Sequence, residues 1–315
     1  MTLMPKPALA LHRSVAGFAL LIALFAAGQV SAQQAKAPPP KVTASSVFVV
    51  NADTGQVLYQ RNPDKEYRIL SITKLITAYV LMQRLDGELS DEVTVTQAYL
   101  VPGSTAGLRK GDMWSLRDLL YGMLLVSGND AALAIADYTG SKMLAGEKKR
   151  GSGIKRFVEE MNATAVALGA EHTKFADPYG ISPVNASTAR DVATIGSVVF
   201  RDQRLLPFWR CAHRTVSVGG PQARTVAIDS TIEMLGEDNI LGAKTGSYVG
   251  KNLYHLVAGW RAPNGATVVA VVLGAADHPS RYSDMRTILA ALPQDFPELA
   301  VPATSSVAPA EICQP

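Results

Sequence analysis

The 315-residue chain has only two cysteines, Cys211 and Cys313. That excludes a disulfide-dense scaffold and a cysteine-based zinc site; the two either pair with each other or stay as separate thiols. Histidine is scarce too, and His172, His213, His255 and His278 stand at no zinc-ligand spacing. Nothing in the sequence calls for a metal or an organic cofactor. Charge is sparse: 30 Lys and Arg against 27 Asp and Glu leave a formal +3. Lys6 and Arg13 supply most of that excess, so the rest of the chain has neither the basic field of a nucleic-acid binder nor a polybasic membrane patch. Past residue 32 no run is long and apolar enough to span a bilayer, which takes roughly 20 residues.

The start of the chain is organised differently. Lys6, His12 and Arg13 precede an apolar run from Val15 to Ala27, and Val30-Ser31-Ala32 offers small residues at a cleavage site. Residues 1–32 therefore read as a secretory signal peptide, cut after Ala32 and leaving no transmembrane anchor. Residues 33–44, with Pro38-Pro39-Pro40, read as an extended linker. Residues 45–292 form the body, and 293–315 a loose Pro- and Ala-rich tail.

Within the body, Val47–Val50 and Val57–Tyr59 flank Asn51-Ala-Asp-Thr-Gly55 and predict a hairpin. From Ser71 to Leu85 the pattern is helical and apolar nearly all round, as in a buried helix. Ser71 stands at its start and Lys74 one turn later. Ser115 and Asp118 form a capping-box pattern for a helix toward Leu125. Helices follow from Asp130, over Phe157–Leu168, and over Thr188–Phe200 with Ser187 as cap. Leu241–Ser247, Tyr254–Trp260 and Ala266–Gly274 then read as an antiparallel meander, and Ser280–Leu292 as a covering helix. The implied fold is α+β: an antiparallel sheet of N- and C-terminal strands with a helical lobe inserted between them.

Three motifs carry the chemistry. Ser71-Ile-Thr-Lys74 places a hydroxyl at a helix start, where backbone N–H groups suit an oxyanion. Lys74 is the only charge from Leu70 to Met82, and a buried lysine either finds partners or loses its proton. A neutral amine is what a general base requires. The S-x-x-K pattern alone is weak, with roughly one chance match expected in a chain this long; Ser152-Gly-Ile-Lys155 is such a match, in a charged stretch that reads as a solvated helix start. Ser127-Gly-Asn129 breaks two helices, and Lys244-Thr-Gly246 lies on a strand, where Lys244 and Gly246 share a face. The three in this order resemble the set of penicillin-recognising serine acyl-transferases.

Asp53–Tyr59, Leu119–Leu125, Ser127–Ala132 and Val271–Ala275 extend that likeness. Over about Val47 to Leu292 the chain resembles the D-alanyl-D-alanine carboxypeptidase and endopeptidase family of low-molecular-mass penicillin-binding proteins, with a β-lactamase/transpeptidase-like fold. The resemblance implies a serine peptidase acting on peptidoglycan stem peptides in the periplasm or cell envelope, and inhibited by β-lactams. It implies Ser71 as nucleophile, Lys74 as base and Ser127 as proton relay. It implies Asn129, Lys244, Thr245 and Gly246 as substrate contacts, and the N–H groups of Ser71 and Ser247 as oxyanion hole. Ile69-Leu70 replaces the family's frequent Pro-Ala. The segment Gly180–Asp191 looks closer to the endopeptidase branch, and the sequence leaves carboxypeptidase and endopeptidase both open.

Two rival readings share Ser71. A class A β-lactamase usually carries S-D-N and needs a glutamate to activate water, but Asp177–Asn185 contains none. A penicillin-binding sensor or scaffold would acylate without turnover. Asp53-Thr-Gly55 lacks the second copy of an aspartic-protease pair and reads as turn residues. Gly246–Lys251 is one residue short of a phosphate loop. Tyr179 and Arg281 are candidate cleft residues.

Overall fold

A computed structural model describes residues 39–237, 239–292 and Cys313. The signal-peptide reading, most of the linker and most of the tail lie outside the described residues. Among those described, no helix is long and apolar enough to cross a membrane, and no cluster of side chains is arranged to hold a metal.

Strands β1 (Ser46–Asn51) and β2 (Val57–Arg61) form the N-terminal hairpin. They join β9 (Ile240–Tyr248), β10 (Leu253–Arg261) and β11 (Thr267–Ala275) in one antiparallel sheet of order β2-β1-β11-β10-β9. The two ends of the chain thus meet side by side: Ser46 opposes Leu273 and Asn51 opposes Val268. Strand β11 is apolar on both faces because both are covered. Val269, Val271 and Leu273 enter the core shared with the helical lobe, while Val268, Ala270 and Val272 enter a second core. Helix α7 (His278–Ala290) closes that second core with Tyr282, Met285 and Ile288. Asp284 on α7 accepts from the N–H groups of Thr43 and Ala44 at 3.0 and 2.8 Å, so ordered packing begins inside the segment read as linker.

The lobe between the strands contains α1 (Lys74–Arg84), α2 (Leu116–Leu125), α3 (Asn129–Gly146), α4 (Gly153–Ala167), α5 (Ala189–Val199) and the short α6 (Leu206–Trp209). Ser115 caps α2 by accepting from the Asp118 N–H at 3.0 Å, and Ser152 caps α4. The cap of α5 is Thr188 and not Ser187. Ser187 belongs to a small pairing of β3 (Tyr67–Arg68) with β6 (Ala186–Ser187), and its hydroxyl is bonded to Thr173 at 2.7 Å. Two small ribbons complete the lobe: β4 (Glu92–Thr94) with β5 (Met113–Ser115), and β7 (His213–Val218) with β8 (Arg224–Asp229). The second was not anticipated, although alternation on either side of Gly219-Gly220-Pro221 is a hairpin signal. Arg214 of β7 reaches Asp118 of α2 at 2.9 Å, and Arg224 of β8 reaches the buried Asp112 at 2.7 Å. Cys211 and Cys313 form a disulfide, with Cα atoms 5.5 Å apart.

Candidate active site

The segment expected to be the first helical turn differs in detail. Leu70–Thr73 is a 3₁₀ turn, and the α-helix starts at Lys74. Leu70 has φ of 54°, a left-handed conformation that costs a non-glycine side chain energy. Gly180, with φ of 95°, packs against this residue so closely that a Cβ there would lie 1.9 Å from the Leu70 carbonyl oxygen. Ser71 is half-buried at the end of this constrained backbone, within reach of a ligand.

Lys74 is 0% exposed. Its Nζ donates to Ser71 Oγ at 3.0 Å, to Asn129 Oδ1 at 2.8 Å and to the Tyr179 carbonyl at 3.0 Å. Burial pushes its pKa well below that of an ordinary lysine, and the charge of Lys244 pushes it further; the carboxylates of Asp177 and Asp130 oppose both. Two of the three partners only accept hydrogen bonds. When Lys74 is neutral, its two N–H bonds go to Asn129 Oδ1 and the Tyr179 carbonyl, and its lone pair is left for the Ser71 hydroxyl proton.

Ser127 adopts φ of 61° between α2 and α3. This left-handed residue turns its hydroxyl toward Lys244, whose Nζ lies 2.9 Å from Ser127 Oγ. Lys244 is also 0% exposed, and burial, aided by Arg281, lowers its pKa to about 7. Asn129 opens α3 and has two duties already: its Oδ1 holds Lys74, and its Nδ2 donates to the Pro102 carbonyl at 2.9 Å. One N–H of that amide remains for a substrate. Asp130 accepts from the N–H groups of Ala106 and Leu108 and from the Thr105 hydroxyl, which shapes the loop over the start of α3.

Strand β9 is the edge of the sheet and forms the other wall. Lys244 and Gly246 face the lobe, as alternation demands. A Cβ at Gly246 would lie 2.6 Å from the Ile69 carbonyl oxygen, so the third residue of the motif must be glycine for the strand to come this close to the segment before Ser71. Thr245 and Ser247 lie on the opposite face. There Arg281 of α7, itself buried, donates to Ser247 Oγ at 2.6 Å. An edge strand leaves alternate N–H groups without a ladder partner, which the expected oxyanion donor at Ser247 requires.

Sequence reasoning missed the function of Asp177. Its carboxylate accepts from the N–H groups of Tyr179, Gly180 and Ser182, bending the loop so that the Tyr179 carbonyl meets Lys74. Asn185 ties the loop to Thr73. The only carboxylate in this loop is thus committed to backbone, in the place where a class A β-lactamase needs a free base. Tyr179 contributes through its carbonyl rather than its ring. An acid two residues before an aromatic-Gly pair is an Asx-turn signal that makes such a loop legible.

The family model for D-alanyl-D-alanine carboxypeptidase matches residues 31–277. A D-alanyl-D-alanine endopeptidase of Pseudomonas aeruginosa is 35% identical over 242 residues, covering 72% of this chain and 73% of the relative. A D-alanyl-D-alanine carboxypeptidase of Streptomyces sp. is 31% identical over 89% of this chain and 97% of the relative. Among solved structures, a Streptomyces DD-transpeptidase superposes with a TM-score of 0.73 at 30% identity, over 81% of this chain and 98% of that one. Penicillin-binding protein 5 of Haemophilus influenzae gives 0.69 at 27% identity, over 80% of this chain and 71% of that one.

Proposed function

The chain belongs to the D-alanyl-D-alanine carboxypeptidase family and is a serine DD-peptidase of the transpeptidase-like α+β fold, and on that premise we propose that its reaction passes through an acyl-enzyme on Ser71. The observation that carries this reading is the bonding of Lys74: a fully buried amine whose hydrogens are claimed by Asn129 and Tyr179 and whose lone pair is left for Ser71. Neutral Lys74 takes the hydroxyl proton as Ser71 attacks the carbonyl of a D-Ala residue. The N–H groups of Ser71 and Ser247 hold the oxyanion, usually a large part of acyl-transfer catalysis. The proton taken by Lys74 is relayed through Ser127, bonded to Lys244, to the leaving amine; Lys74 is neutral again, and water then hydrolyses the ester.

Carboxypeptidase and endopeptidase substrates share one element on the leaving side: a carboxylate on the D-configured carbon that bears the scissile nitrogen. Lys244, facing the cleft beside Ser127, is the cation for that carboxylate; Thr245 joins it from the same strand, and Arg281 adds positive charge from behind β9. Asn129 gives its remaining N–H to the substrate amide. Peptidoglycan stem peptides are the substrates and β-lactams the inhibitors in this reading. Residues 1–32 export the chain to the cell envelope, where that polymer lies.

Intact mass after benzylpenicillin tests the assignment. Residues 33–315 should gain one drug molecule, and Ser71→Ala should gain none. An unmodified wild type that destroys the drug favours a β-lactamase; an adduct retained by Ser71→Ala removes Ser71 from the chemistry.

A further inference from the structure

One face of β9 reads as a ruler along the cleft. Lys244 stands opposite Ser127, and Gly246 opposite Ile69 and Leu70 beside the nucleophile. Tyr248 stands opposite Arg68, whose guanidinium lies 5.4 Å from the ring centroid. The nucleophile is therefore between the Lys244 end and the Tyr248 end. With the leaving-group carboxylate at the Lys244 end, the acyl arm of the peptide must leave past Tyr248.

That exit has a floor and two walls. Arg68 donates through Nη2 to the Ile181 carbonyl at 3.0 Å, which joins the Tyr248 wall to the floor loop. Across the floor, Ile181 Cδ1 lies 3.4 Å from where a Cβ of Gly103 would be, beside Asn129. Ile181, Tyr248 and Val249 are 47%, 40% and 72% exposed, large apolar groups bared at one rim. Arg68 is the cation among them. No carboxylate of the described residues lies within ion-pair distance of it. Its Nε is buried and turned away from a ligand, and Nη2 is tied to Ile181, which leaves Nη1 as the open arm. A guanidinium with one arm fixed and another open is suited to an anion.

We propose that Arg68, with Ile181 and Tyr248, forms an acyl-side subsite for a side-chain carboxylate on the residue that precedes the acyl D-Ala. The substrate class is a stem peptide whose diamino acid ends in a free carboxylate, as in diaminopimelate, in preference to one that ends in an amide or carries lysine. The alkyl part of that side chain covers Ile181 and Tyr248. This rests on the DD-peptidase reading and on the direction of the peptide along β9.

The test compares three tripeptides ending in D-Ala-D-Ala, whose first residue is diaminopimelate, its side-chain amide or lysine. D-Ala release gives kcat/KM for wild type, Arg68→Gln and Arg68→Lys. Wild type should favour the free carboxylate by about tenfold, in line with a charge-assisted contact at a half-exposed site. Arg68→Gln should bring the ratio to within about twofold, and Arg68→Lys should retain most of it. If Arg68 only pins the loop, all three substrates fall together and the ratio stays, which overturns the proposal. A wild-type ratio near one does the same. Should Arg68→Gln fail to fold, wild type alone decides: high salt should drive the ratio toward one, and a salt-independent ratio overturns the subsite. If none of the peptides is cleaved although penicillin labels Ser71, the peptidase reading fails and takes the subsite with it.

Discussion

Lys74 and Lys244 are both buried completely, yet their surroundings set them to opposite tasks. Lys74 projects from a helix into a cage of acceptors, two of which leave it no choice of hydrogen-bond direction. Lys244 projects from an edge strand toward Ser127, with Arg281 behind it and the cleft in front. Burial lowers the pKa of both. The charge of Lys244 helps to lower the pKa of Lys74, so in the proposed mechanism the anion anchor also prepares the base. Burial alone does not define a general base; the bonding directions around the amine do.

The largest way to break this contrast is Lys74→Arg. A guanidinium keeps its proton, so acylation by benzylpenicillin should slow by about 10³-fold, within the range that general bases supply. Time-resolved intact mass measures it, and near-wild-type labelling would strip Lys74 of the base role. Lys244→Gln should act less, lowering kcat/KM for D-Ala release by about 100-fold, most of it in KM. Lys244 also predicts a pH signature. In wild type kcat/KM should decline as pH rises through about 7, where Lys244 loses the charge that binds the carboxylate. Lys244→Gln should lose that decline; a fall near 7 that persists in this variant assigns it elsewhere. The smallest effect on chemistry should come from Cys313→Ser, which opens a link across a sequence separation of 102 residues and touches none of the hydrogen bonds of either lysine. Denaturant unfolding should show a loss of about 2–4 kcal/mol, with kcat/KM within about twofold of wild type.

Much of the scaffold was legible because it depends on local periodicity. The two-sided burial of β11, the hairpin of β1 and β2, and the cap of α2 at Ser115 all follow from residues close in sequence. Where local signals misled, long-range contacts had prevailed. Ser187 looked like a cap, but its hydroxyl serves Thr173 and its backbone pairs with Tyr67, leaving Thr188 to cap α5. Ser71–Thr73 looked α-helical, but it belongs to a 3₁₀ turn that begins at a left-handed Leu70, where Gly180 and Gly246 pack against the backbone of Ile69 and Leu70.

The site divides in the same way. Residue types and motif order singled out Ser71, Lys74, Ser127, Asn129 and Lys244, and the fold brings these five side chains together. Sequence also determined the alternation that puts Lys244 and Gly246 on one face of a strand. Which way each hydrogen bond runs was decided only by the tertiary structure. The Tyr179 carbonyl reaches Lys74 because Asp177 bends its loop, and Arg281 meets Ser247 because α7 packs behind β9. Those partners lie 105 and 34 residues apart in the chain. No local propensity encodes such pairings; they exist only once both cores have closed around the sheet.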